Sequence, residues 1–170
     1  MRFPGPSGAA LIGALLAAQV RFVAALPDIV TSDGLLWPLS RDQRFRLVRL
    51  CKEDEGVAIC TGLAFTGQRA VLLMQQTGLM DSLNAIRAIA VEYRQPVCMV
   101  VGLQGKEREV CAAESRSYGV RIVPAILAAM GIDMIEIEAP GDEAMLAPAI
   151  DLAYALERPL VALIGRTVAP

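Results

Sequence analysis

The sequence predicts an α/β fold, a three-layer α/β/α domain built on a mostly parallel sheet of six strands. Three observations lead there. Apolar runs of strand length alternate with longer helix-patterned segments along the whole chain. Two of those runs, Ala70 to Gln75 and Val97 to Val101, are apolar almost throughout, as strands covered on both faces are. Hydrophobic residues make up 55% of the chain but aromatics only 5%, so the core is expected to consist of Ala, Val, Ile, Leu and Met, which let helices lie close to a sheet.

From Ser7 to about Gln19 the pattern is helical, with Ser7 as an N-cap. Arg2 followed by the apolar stretch Gly8 to Ala18 also has the look of a signal peptide. Pro4 and Pro6 interrupt its basic region, and the stretch leads straight into a strand at Arg21 to Leu26, so a first helix of the domain is the expectation. Pro27-Asp28 stops that strand, and a loop or short helix runs through Trp37-Pro38. Phe45 to Leu50 alternates apolar with basic residues, which suits a strand near the sheet edge. A Gly/Ala/Cys-rich helix is expected from Glu53 to Thr66, closed by Gly67. After the strand 70–75 come a Gln76-Thr77-Gly78 loop, a helix over 79–93, the strand 97–101 and a polar loop over 102–119. A helix at 121–130, a strand at 133–138, a helix at 142–156 and a strand at 160–164 complete the alternation.

The 170 residues suffice for a single domain spanning 1–170, and no linker divides it. A mean hydropathy of +0.48 argues against extensive disorder and favours a buried subunit interface, hence self-association. Net charge is −2 and the 16 basic residues form no run, so nucleic acid is not an expected partner. No stretch reaches the ~18 apolar residues that span a bilayer. Four cysteines without C-x-x-C spacing suggest reduced thiols and a cytoplasmic protein. The chain has no histidine, which removes His-based triads and the usual catalytic zinc sites; acid-base work would fall to a carboxylate or a cofactor, and no metal site is expected on this chain.

The richest stretch is Cys51 to Gly62, where Glu53, Asp54 and Glu55 stand at the junction of a strand and a helix. Acids in a first helical turn complement the helix dipole, and a carboxylate at the mouth of a sheet is equally well placed for chemistry. Gly62 to Arg69 has the glycine spacing of a phosphate-binding loop, but Gln68-Arg69 replaces the Lys-Ser/Thr pair and a strand follows instead of a helix. No Gly-x-Gly-x-x-Gly follows the first strand.

Lys52 to Gly62, then Leu73-Met74-Gln75-Gln76-Thr77-Gly78-Leu79, then Asn84-Ala85-Ile86, together resemble the pyrimidine-binding domain of thiamine-diphosphate-dependent decarboxylases. Within that family the α subunit of sulfopyruvate decarboxylase and the corresponding half of phosphonopyruvate decarboxylase are the most similar. The resemblance covers about Val20 to Ile164 and implies that a glutamate at this helix start shares a proton with the aminopyrimidine ring of thiamine diphosphate. A carboxyl in an apolar pocket holds its proton well enough to do so, without histidine. The family glycine nine residues beyond the glutamate matches Gly62, so Glu53 is the catalytic candidate and Asp54 and Glu55 are first-turn charges.

Pro27 matches a proline near the pyrimidine ring, or simply stops a strand. Gln76, Thr77 and Gly78 match a loop over the cofactor, and Asn84 matches a family asparagine or caps a neighbouring loop. Lys106, Arg108, Arg116 and Arg121, Arg108 and Arg116 foremost, are candidates for a substrate anion or are solvated charges. Where relatives read Gly-Leu-Gly-Asn this chain has Gly78-Leu79-Met80-Asp81, which bears on the sulfonate or phosphonate substrate more than on the cofactor. Ser32-Asp33-Gly34 only begins to resemble the Gly-Asp-Gly motif for metal and diphosphate, and with no Asn before Asn84 it reads as a turn.

The resemblance therefore implies one subunit of a heteromeric lyase that decarboxylates a 3-substituted pyruvate and is inactive alone. A separate diphosphate-binding β subunit would hold Mg²⁺ and the diphosphate. The alternatives are a non-catalytic structural or regulatory partner of the same fold and another small-ligand α/β module.

Overall fold

The computed structural model describes residues 5–170, so Arg2 and Pro4 of the N-terminal reading lie outside the described residues. Six strands, β1 (Phe22–Ala25), β2 (Arg46–Arg49), β3 (Ala70–Gln75), β4 (Cys98–Gly102), β5 (Asp133–Ile137) and β6 (Leu160–Ile164), form one sheet in the order β2-β1-β3-β4-β6-β5. Every pairing is parallel, so the sheet is wholly and not mostly parallel. The helices are α1 (Gly8–Ala17), α2 (Trp37–Arg41), α3 (Glu53–Phe65), α4 (Gln76–Asp81), α5 (Leu83–Ala85), α6 (Tyr118–Arg121), α7 (Val123–Ala129) and α8 (Leu146–Leu156).

Side-chain alternation divides the core in two. Val71 and Leu73 of β3 join Leu11 and Leu15 of α1, Leu39 of α2 and Ile150 of α8 on one face. Ala70, Leu72 and Met74 of the same strand join Val57 and Cys60 of α3, Leu79 of α4 and Leu127 of α7 on the other. Central β3, β4 and β6 are buried almost throughout, whereas edge strand β2 leaves Arg46 and Arg49 exposed, as its alternation predicts.

The chain leaves β1 toward the α1 and α8 face, but leaves its two neighbours, β2 and β3, toward the opposite face. The carboxyl end of β1 is thus a crevice from which chain segments diverge, the place where open parallel sheets bind ligands.

Ser7 caps α1, its Oγ accepting from the Ala10 amide at 3.3 Å. Gly67 takes the left-handed conformation after α3 (φ 74°), where its amide bonds to the Ala64 carbonyl at 2.9 Å. Three local expectations change. Ser32 to Leu36 forms a π-helical turn, not a simple turn. Gln76 to Gly78 is the first turn of α4, not a loop, and the helix expected over 79–93 breaks at Ser82, where Ser and Asn84 weaken it, before a π-helical turn at Ile86–Val91. The polar stretch 102–119 carries a 3₁₀ turn at Ala112–Glu114 and the start of α6.

Candidate active site

The chain passes from Leu50, whose amide bonds to the Ala25 carbonyl at the end of β1, through extended Lys52 (φ −147°, ψ 148°) into α3. Three consecutive acids start this helix, and their surroundings separate them. Glu55, in the first turn, turns its carboxylate back to accept from the Cys51 amide at 3.1 Å and the Lys52 amide at 3.4 Å, the return half of a capping box. Asp54 pairs with Lys52 at 3.4 Å. Glu53, half-buried, enters no hydrogen bond or ion pair among the described residues.

Glu53 lies instead against α4. A Cβ on Gly78 would sit 2.3 Å from Glu53 Oε1 and 2.4 Å from its Cδ and Cγ. Only glycine admits the glutamate side chain so close to that backbone. Gly56, one turn into α3, likewise lets the helix close on Leu72 of β3. The Glu53 carboxylate, without a partner among the described residues, thus stands at the carboxyl edge of the sheet between the first turns of two helices.

The other site candidates distribute as follows. Pro27 is exposed at the same edge, directly after β1. Asp28 beside it is buried, and its carboxylate accepts from the amides of Val30 at 2.6 Å and Thr31 at 2.9 Å and from the Thr31 hydroxyl. This acid, read from sequence only as part of a strand stop, builds the turn after β1. Gln76 is buried with its amide committed: it donates to the Gln104 carbonyl at 3.0 Å and accepts from the Gln104 amide at 2.8 Å, tying α4 to the segment after β4. Thr77 is exposed, and Gln75 donates to its hydroxyl at 3.1 Å. Asn84 is exposed and accepts from Arg87 at 3.1 and 3.3 Å, so it caps no neighbouring loop.

The basic candidates fall apart into two groups. The Lys106 side chain is fully buried, with Nζ 2.6 Å from Glu138 and donating to the carbonyls of Glu107 and Val110, so it pins its loop and offers no free cation. Arg121 donates to the Ser115 carbonyl at 3.0 Å and stacks near Tyr118. Arg108 and Arg116 are both exposed. The Glu107 carboxyl is held below the usual range by the hydroxyl of Ser115, with amide help from Arg116.

Burial pushes the Cys60 thiol up to about 12, and Cys98 lies deeper still, so both behave as inert core residues; Cys51 and Cys111 are exposed and free. Among the described residues no three His, Cys, Asp or Glu side chains cluster to hold a metal ion, and no helix is long and apolar enough to cross a membrane.

An open six-stranded parallel sheet with, among the described residues, an unpaired glutamate at its carboxyl edge defines the class: an α/β domain of the kind that binds ligands at strand ends. No family model matches the chain. It is 30% identical to sulfopyruvate decarboxylase subunit alpha of Methanococcus maripaludis over 105 residues, 62% of this chain and 62% of that subunit. It is 28% identical to the sulfopyruvate decarboxylase of Methanosarcina acetivorans over 126 residues, 74% of this chain and 32% of that protein. The fold matches a crystal structure of benzoylformate decarboxylase from Polynucleobacter necessarius with a TM-score of 0.63 at 18% identity, covering 96% of this chain and 34% of that one. The resemblance drawn from residues 52–62, 73–79 and 84–86 is to sulfopyruvate decarboxylase, which the first two matches name, and the fold is shared with one third of a larger decarboxylase chain.

Proposed function

We propose that this chain is the pyrimidine-binding α subunit of a heteromeric, cytoplasmic, thiamine-diphosphate-dependent carboxy-lyase acting on a 2-oxoacid with an anionic group at C3, such as sulfopyruvate or phosphonopyruvate. The observation that carries this is the Glu53 carboxylate, unpartnered and seated against Gly78, while both neighbouring acids are committed elsewhere. The relatives' names support it, and their designation as alpha subunits supports a second chain.

The residues fit the cofactor's pyrimidine end. Glu53 would hold a proton and share it with a ring nitrogen, and Gly78 keeps that carboxyl in place. Pro27 and Thr77 border the same edge, while Gln76 shapes it through Gln104. Thiamine diphosphate, when bound, supplies the electron sink for decarboxylation. A separate β subunit, in keeping with the relatives' designation as alpha subunits, is proposed to hold Mg²⁺ and the diphosphate.

A non-catalytic partner of the same fold is favoured by one feature, the Met80-Asp81 pair; Asp81 is exposed at the end of α4, and Met80 packs on the α3 face of the core. Calorimetric titration with thiamine diphosphate and Mg²⁺ distinguishes the proposed subunit from a small-ligand α/β module that takes no thiamine. The expectation is saturable binding once the partner chain is added and little without it. Absence of binding in both conditions contradicts the proposal.

A further inference from the structure

At the carboxyl edge of the sheet a cavity of about 240 Å³ lies between the turn after β1, the segment after β4 and the segment after β6. Its lining includes Lys106, Arg108 and Arg166 and, among the described residues, no carboxylate. In a chain of net charge −2 this is a local excess of positive charge. Ile29 and Val30 form an apolar wall. Such a space, small, cationic and partly apolar, fits a short carbon chain ending in an acidic group.

The three cations are not equivalent. Lys106 is neutralised by Glu138. Arg108 is exposed, and its backbone carbonyl accepts from Arg166 Nη2 at 2.6 Å. Arg166 is half-buried and anchored by that bond, and among the described residues its buried Nε has no hydrogen-bond partner. Among the described residues the Arg166 guanidinium pairs with no carboxylate, so a half-buried positive charge lining the cavity is left for an anionic oxygen to offset. The anchor orients the planar fork beforehand, so less freedom is lost on binding than for a free arginine.

We infer that this cavity is an anion subsite in which Arg166, assisted by Arg108, binds a sulfonate, phosphonate or related oxyanion. Identifying that anion as the C3 substituent of the substrate rests on the decarboxylase reading; the subsite itself does not. Arg166 would then be the specificity-determining residue. The sequence signal for it was a cation two residues beyond the last strand, at the sheet's carboxyl edge.

Two measurements test this. In the first, the chain alone, with its arginine Nε–H resonances resolved by NMR, is titrated separately with ethanesulfonate, methylphosphonate and inorganic phosphate. The resonance absent in Arg166→Lys is expected to shift saturably with at least one of the first two, and binding should weaken at least tenfold in Arg166→Gln. No saturable shift of that resonance overturns the subsite, and a shift with phosphate alone overturns its assignment to substrate. In the second, Arg166→Lys in the complex with the partner chain is expected to raise KM for the anionic 2-oxoacid about tenfold or more, with kcat and thiamine diphosphate affinity unchanged. An unchanged KM overturns the substrate role. If the wild-type complex does not decarboxylate, the functional reading fails, and the NMR titration alone decides the subsite.

Discussion

Glu53, Asp54 and Glu55 are chemically near-identical neighbours, yet the backbone gives each a different fate. Glu55 reaches back over the helix start, Asp54 leans to Lys52, and Glu53 lies against Gly78. Gly78 therefore sets the position of the carboxyl. In Gly78→Ala the new methyl would meet the end of a flexible side chain, so Glu53 moves aside and the fold survives. We expect a melting temperature within a few degrees of wild type and decarboxylase activity of the complex reduced about 100-fold, since a displacement of about 1 Å costs that much. Full activity in Gly78→Ala would show that this contact does not position the carboxyl. The sequence singles out Glu53 by its distance to Gly62, a spacing that resembles that of thiamine-diphosphate-dependent decarboxylases. The commitment of Gln76 is not legible there, because its partner Gln104 lies 28 residues away in the segment after β4 and a side-chain amide pairing with backbone leaves no periodic trace.

Among elements, α1 is held at its first turn by a carboxylate from elsewhere. Glu143, in the 3₁₀ turn before α8, is buried; its carboxylate accepts from the Ser7 amide and, at 2.6 Å, from the Gly141 amide. Burial opposes its charge, but those amides prevail and hold the carboxyl below its usual 4.5. A carboxyl with a lowered folded value stabilises the fold above its unfolded value, and that contribution is lost as pH falls through the folded value. Glu143→Gln should therefore lower stability by about 1–3 kcal/mol near neutral pH. The gap in melting temperature between the two proteins should narrow as pH drops below about 4. A gap independent of pH would rule out a charged Glu143 as the clasp. The central strands β3, β4 and β6 were legible because burial on both faces writes a continuous apolar run, and β2 because its exposed face writes an alternation. The break at Ser82 and the two π-helical turns were not, since single Ser and Asn residues also occur inside unbroken helices and a π-turn has no periodic signature of its own.

For the molecule as a whole, strand order decides where chemistry can occur. The chain leaves β1 toward one face and leaves β2 and β3 toward the other, which opens the carboxyl edge. Parallel α/β architecture was readable from the alternation of patterns, while the order β2-β1-β3-β4-β6-β5, with β6 inserted beside β4, depends on contacts distant in sequence. The central claim is that Glu53 handles the proton at that edge. The most direct measurement is the decarboxylation rate of the complex with the partner chain, comparing wild type with Glu53→Gln. The glutamine keeps the shape and loses the titrating carboxyl, so kcat is predicted to fall by about 100-fold or more with the assembly intact. Wild-type kcat in Glu53→Gln would contradict the account.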